Sequence, residues 1–378
     1  MSTLLPINLN YAFPNKPPPA SGDRHAVALL SGGLDSLLAV HLMLDQGIRV
    51  TALQFMTHFG CDGGMGSSCS HDQSDSARRH GFEIKLVHMG QAYIDMVRNP
   101  PHGYGRNMNP CIDCRILMLK WAGDFMRMAG AHFIVTGEVL DQRPMSQRAG
   151  NLARIDRASG LEGLVLRPLS ARCLPETIPE RQGLVDRSRL GAIRGRSRKE
   201  QIQMARRFGI VNIPQPAGGC LLTDPIYASR LRDLFDHVPD ATADDITLLQ
   251  VGRHFRVSAA CKIVVGRNET DNLFLRTRAR PGDVLLEVHE HIGPLTLLRG
   301  RTGPDDVATA AGITAAHSKR PQPDPATIRY GVVPAAGVEP VWSYITVPLP
   351  RRSSFEPLRV GVLPSAAIAP GSCARHAE

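Results

Sequence analysis

The apolar run His25–Leu30 stops abruptly at Ser31-Gly32-Gly33-Leu34-Asp35-Ser36, and Leu34–Leu44 continues with helical spacing. This order predicts a buried strand, a tight turn and a helix. Val50–Met56, Glu83–His88 and His132–Thr136 are further short apolar runs, separated by helical patterns over Asp72–His80 and Cys111–Met128. Strands that alternate with helices predict an α/β domain, a doubly wound parallel sheet.

The turn itself carries chemistry. Two glycines let several backbone N–H groups converge. The helix start adds partial positive charge, and Ser31 and Ser36 add hydroxyls. Together these make a phosphate cradle that lacks the lysine of a Walker loop. Asp35 is suited to hold Mg²⁺. A plain glycine turn with a serine-capped helix explains the glycines alone, but not the whole six-residue string at the first strand of an α/β unit.

The 378 residues, at about 150 per domain, suggest two or three domains. The 44 Lys+Arg exceed the 35 Asp+Glu by +9, a balance that suits a polyanionic partner. No apolar run approaches the roughly 18 residues of a membrane span, and residues 1–22 lack the basic and apolar regions of a secretory signal. Eight cysteines are too sparse for a disulfide scaffold, so thiols in a reducing cytoplasm are expected. The expected divisions are a disordered tail (1–22), the nucleotide-type α/β domain (23–180), a basic segment with a cysteine-bearing turn (181–247), a C-terminal α+β module (248–331) and a Pro-rich end (332–378).

Asn109-Pro-Cys111-Ile-Asp-Cys114 opens a helix, which sets both sulfurs on one side near its positive end. Cys220, on the glycine turn Pro216–Cys220, is the best third thiol. Three thiolates would hold three corners of a [4Fe–4S] cluster and leave one iron open. A persulfide carrier with a resolving partner is the alternative use, and an incidental pair is the plain one. Cys61 and Cys69 fall in a Gly/Ser-rich stretch. Cys173, Cys261 and Cys373 lack partner spacing and read as ordinary thiols.

Between residues 181 and 207 there are nine Lys/Arg and two acids. Charge runs are usually solvated faces, but arginine richness favours phosphate contacts. Arg187, Arg194, Arg196, Arg198 and Lys199 are the candidate RNA-contacting residues. The stretch lacks aromatics, so base stacking is not expected there. Farther on, Lys262–Gly266, Asn272–Leu275, Asp283–His289 and Pro294–Leu298 read as short strands, with a helix over Pro304–Ser318.

Ser31–Ser36 resembles the PP-loop signature of the ATP-pyrophosphatase enzymes. Combined with Asn109–Cys114 and the later Cys220, it is similar to the tRNA thiolation enzymes, the 2-thiouridylases and their iron–sulfur-dependent relatives, over roughly residues 23–235. The resemblance implies an ATP site at Ser31, Gly32, Gly33, Leu34, Asp35 and Ser36, with Thr136 and Gly137 on the adenine side, and Mg²⁺ near Asp35. It implies a nucleobase oxygen adenylated by ATP and then displaced by sulfur, with tRNA as substrate and sulfide or a persulfide carrier as donor. Asp35, Cys111, Cys114 and Cys220 would be catalytic, and the cysteines would ligate a [4Fe–4S] cluster. Residues 250–331 resemble the RNA-binding domain of the NFACT proteins, although the family's Asp-x-Trp-x-His element lacks its Trp here. The other classes weighed are a ribosome-associated nucleotide-binding factor without thiolation and a PP-loop enzyme that uses ammonia on a small molecule.

Overall fold

A computed structural model describes residues 23–59, 74–210, 213, 220–319 and 324–362. The expectations for residues 1–22, Cys61, Cys69, Pro216–Gly219 and Cys373 lie outside these. The chain divides into two units. Of the described residues, the first holds 23–56, 74–89, 111–210 and 213, and the second holds 57–59, 90–110, 220–319 and 324–362.

The elements run β1 (His25–Leu29), α1 (Leu34–Leu44), β2 (Arg49–Met56), α2 (Ser74–His80), β3 (Glu83–His88), α3 (Gly90–Arg98), α4 (Cys111–Met128), β4 (Phe133–Thr136), α5 (Ala149–Ala158), β5 (Val165–Leu166), α6 (Ile178–Arg181) and α7 (Lys199–Arg207). All but α3 belong to the first unit. Its five strands pair in parallel in the order β3-β2-β1-β4-β5. Side chains of β1 alternate between two cores. Ala26 and Ala28 pack with the apolar side chains of α1, whereas Val27 and Leu29 pack with Ile116, Leu119 and Met126 of α4. Helices therefore cover both faces, as the doubly wound expectation required. The chain winds one way from β1 to β3 and returns to β4 on the other side of β1. The crevice beyond the carboxyl ends of β1 and β4 is thus the switch point, where such sheets bind ligands.

The second unit adds α8 (Pro225–His237), α9 (Ala243–Leu248), β6 (Arg253–Arg256), β7 (Cys261–Val265), α10 (Glu269–Thr277), β8 (Val284–Val288), β9 (Thr296–Gly300), α11 (Pro304–His317), β10 (Ala326–Val332), β11 (Ser343–Val347) and β12 (Arg359–Val360). Its antiparallel sheet has the order β11-β10-β8-β9-β7-β6-β12. Helix α11 packs on one face, with Leu286, Val288, Leu298 and Ile328, and α10 on the other, with Leu285 and Leu297. Two expectations are corrected. Asn272–Leu275, read as a strand, lies inside α10, because Asn268 caps the helix by accepting the Asp271 N–H at 2.9 Å and only one apolar side faces inward. Leu275 is buried while Leu273 is 63% exposed. The weakly patterned end after 332 supplies both edge strands, β11 and β12, whose partial exposure hides their periodicity. Among the described residues, no helix is long and apolar enough to cross a membrane.

Asp233 of α8 fastens this helix to the sheet. It accepts from Arg256 at 2.9 and 2.8 Å and from Lys262 at 2.8 Å. Burial alone would push its carboxyl up, but the Arg256 hydrogen bonds and the Lys262 charge outweigh burial and hold it at about 2. A carboxyl with a depressed folded pKa stabilises the fold above its unfolded value near 4. We expect that contribution to be lost as pH falls from about 4 through 2, and Asp233→Ala to cost about 3 kcal/mol at neutral pH, since it strands the buried Lys262 and the half-buried Arg256. Urea melts of the two proteins at pH 7 and pH 3 check this, because the difference must shrink in acid.

Candidate functional site

The loop from Ser31 to Ser36 leaves the carboxyl end of β1 and enters α1 at the switch point. Gly32 has φ +73°, a conformation that excludes ordinary side chains. The loop is closed by Ser36, whose hydroxyl donates to the Gly33 carbonyl at 2.9 Å and accepts from the Ser31 N–H at 3.1 Å. The Ser31 hydroxyl lies 3.2 Å from it. Ser36 therefore shapes the cradle from within, and Ser31, which is exposed, is the hydroxyl open to a ligand. Leu34 is buried and anchors the first turn of α1.

Thr136 ends β4 and Gly137 follows it. A Cβ on Gly137 would lie 2.4 Å from both Cα and N of Ser36 and 2.6 Å from the carbonyl carbon of Asp35. Backbone meets backbone here, so only glycine fits. Asp35 accepts from Gln142 Nε2 at 2.9 Å through one oxygen. Its other oxygen, Oδ1, is buried and has no hydrogen-bond partner. A buried, unmatched carboxylate oxygen at a phosphate cradle fits a hard cation such as Mg²⁺.

Sequence reasoning missed what lies beneath Gly137. Glu138 is buried, and its Oε2 accepts from Arg167 Nε at 3.0 Å and lies 3.2 Å from the Thr136 hydroxyl. Arg167 also forms a bidentate pair with Asp156 at 2.8 and 2.7 Å. Arg115 approaches the other Glu138 oxygen at 3.6 Å. Burial pushes the Glu138 carboxyl up, but the charges of Arg167 and Arg115 outweigh it and hold the group below the usual carboxylate range. The only sequence signal was position: Glu138 follows the glycine and Arg115 follows Cys114.

Cys111 and Cys114 stand three residues apart on the first turn of α4, both half-buried. They share the first unit with the loop, and Arg115–Glu138 links their helix to the Gly137 turn. Cys220 belongs to the second unit, where its thiol donates to the Phe59 carbonyl at 3.1 Å. Among the described residues, no group of three or more His, Cys, Asp or Glu side chains is arranged to hold a metal ion. Cys261 is buried in β7, and the exposed Cys173 donates to the Ala192 carbonyl.

The basic segment is partly engaged in the fold. Arg187 pairs with Glu180 at 2.5 Å and donates to the Leu174 carbonyl, and Arg194 pairs with Asp141 at 2.7 Å. Arg198 precedes α7, and Arg196 and Lys199 are exposed.

Residues 21–173 match the family described as thiamine biosynthesis protein (ThiI). Residues 21–173 are a ThiI-type PP-loop domain. Residues 252–337 match the NFACT protein RNA binding domain. The chain is 33% identical to a tRNA-specific 2-thiouridylase MnmA 2 of Bacteroides fragilis over 117 residues, 29% of this chain and 32% of that protein. It is 25% identical to the tRNA-specific 2-thiouridylase MnmA of Chlorobium chlorochromatii, across 62% of this chain and 65% of that one. A probable tRNA sulfurtransferase of Thermococcus kodakarensis is 29% identical, with 38% and 36% covered. The chain spans about a third of the Bacteroides and Thermococcus proteins. A solved 4-thiouridine synthetase–RNA complex with bound ATP aligns at 21% identity and a TM-score of 0.33, covering 50% of this chain and 42% of that one.

Two substitutions test the geometry of the ThiI-type domain. Gly137→Ala is expected to abolish ATP binding measured by calorimetry and to lower the melting temperature. Gly150→Ala, in the first turn of α5 where a Cβ meets nothing within 4 Å, should leave ATP affinity unchanged and raise stability by less than about 1 kcal/mol.

Proposed function

We propose that this chain is an ATP-dependent RNA sulfurtransferase acting on tRNA, which adenylates a nucleobase carbonyl oxygen and replaces it with sulfur. The observation that carries this reading is that an intact PP-loop and the Cys111–Cys114 helix start lie in one unit and are joined by the Arg115–Glu138 pair. A protein that only bound nucleotide would need no such cysteines.

ATP would lie over Gly32 and Gly33 with its phosphates on the loop N–H groups and the Ser31 hydroxyl, and with its adenine toward Thr136 and Gly137. Mg²⁺, held at Asp35, would supply charge neutralisation for the triphosphate. The fixed N–H dipoles stabilise charge on the departing pyrophosphate, and holding the base oxygen beside the α-phosphate removes much of the entropic barrier. Attack by that oxygen forms the O–P bond and breaks the bond to pyrophosphate. AMP is then the leaving group for sulfur.

No step is routed through a [4Fe–4S] cluster here, and sulfur delivery is assigned to thiols. One of Cys111 and Cys114 takes, as a persulfide, the outer (sulfane) sulfur of an external persulfide carrier, which leaves the carrier as a thiol. Its terminal sulfur attacks the adenylated carbon and AMP departs. A second thiolate then attacks the sulfur of the carrier cysteine. This releases the thiocarbonyl base and leaves a cysteine disulfide, which an external dithiol reduces. Arg194, Arg196, Arg198 and Lys199 are proposed to hold the RNA backbone, a contact that gives affinity and salt dependence rather than sequence choice. A cytoplasmic location follows from this chemistry.

Cys111→Ser and Cys114→Ser should each lose thionucleoside formation, read by mass spectrometry of digested tRNA, while keeping ATP–pyrophosphate exchange. Asp35→Ala should lose both. Full thiolation by both serine variants would overturn the reading in favour of an ammonia-dependent enzyme or a binding factor. A brown, iron-containing protein from anaerobic purification would return the cysteines to cluster ligands.

A further inference from the structure

One end of the second unit's sheet carries an unusual row of side chains. Tyr344 of β11, Arg329 of β10 and Glu287 of β8 are direct cross-strand neighbours, so they stand on one face. The apolar residues of the same strands, Leu286, Val288, Ile328 and Ile345, turn to the opposite face and pack under α11. His289 lies two residues beyond Glu287, and its ring meets Tyr344 edge-on, with centroids 4.9 Å apart and planes at 73°. The Arg329 guanidinium lies 4.6 Å from the centre of the Trp342 ring.

Trp342 is half-buried against the core on the α10 side, but the rest of the row is not core packing. Tyr344 is 57% exposed, on an edge strand. Arg329 donates to Glu287 at 2.6 Å, and Arg276 of α10 reaches both Glu287 oxygens at 3.2 Å. These contacts fix a carboxylate and two guanidinium groups beside the rings, and the Nε of Arg329 is buried without a partner.

We infer that this face, formed by Tyr344, Trp342, His289, Arg329 and Glu287, is a stacking site for an unpaired nucleobase of single-stranded RNA. Flat rings held in plane by neighbours accept the π-face of any base. Adjacent guanidinium and carboxylate groups supply donors and acceptors for a base edge. A folded protein partner would be expected to use a broader apolar patch, whereas here apolar rings alternate with charge. Trp342 and Tyr344 lie beyond the matched RNA-binding segment, which ends at residue 337. The site is therefore an addition made by β11 and the residue that precedes it. The inference rests on the RNA-binding part of the proposed function and not on sulfur transfer.

The test uses the full chain and short oligouridylate and oligoadenylate RNAs. Tyr344→Ala should weaken binding about tenfold or more, Tyr344→Phe should stay within about twofold of the wild type, and thermal melts of both should be unchanged because the side chain is exposed. Trp121→Phe leaves Trp342 as the sole indole, and its emission should be quenched by RNA. Equal affinities of the Ala variant and the wild type, or an indole emission indifferent to RNA, would overturn the site. So would emission that changes with protein concentration alone, which marks a contact between chains. Loss of thiolation with RNA binding and quenching intact would count against the proposed function and leave this site standing.

Discussion

A carboxylate sealed away from water must be matched by cations, and the first unit is organised around that demand at Glu138. Its partners come from separate parts of the chain, Arg167 just after β5 and Arg115 at the start of α4. Arg167 is itself held by Asp156 of α5. Removing one member would leave a buried charge without a counterion, which is far costlier than never burying the pair. The network therefore fixes the Gly137 turn, the cysteine helix and α5 as one body.

That rigidity has a chemical consequence. Gly137 presses backbone on backbone against Ser36 and Asp35, so the floor of the cradle cannot shift without moving the loop. Ser36 is spent on closing the loop from inside. The loop backbone is thereby fixed from inside before any ligand arrives, which is a condition for electrostatic preorganisation. The second unit solves a different problem. Its sheet is covered by α11 on one face and only partly by α10 on the other, and the uncovered end carries aromatic and charged side chains where a core would be apolar.

Much of this was legible in the residue order. The parallel strands β1 to β4, the loop, and the limits of α1 and α4 follow from short apolar runs punctuated by glycine, because buried strands and helices leave strong periodic signals. Asn272–Leu275 was misread, since a brief apolar run has no period of its own and the cap at Asn268 decided for helix. The arginines of 181–207 looked alike as a charge run, yet Arg187 is tied to Glu180 inside the fold. A count of charges carries no information about which are paired.

The sequence by itself determined the glycine turn after β1, the α/β winding and the helix that begins with Cys111, because local conformation follows from glycine placement, apolar spacing and capping. Only the tertiary structure decided that Gly137 abuts Ser36, that Glu138 gathers two arginines, and that Tyr344, Arg329 and Glu287 form one row. Those juxtapositions join residues far apart along the chain. Strand register and the pairing of buried charges set them, and neither is written in any single stretch of residues.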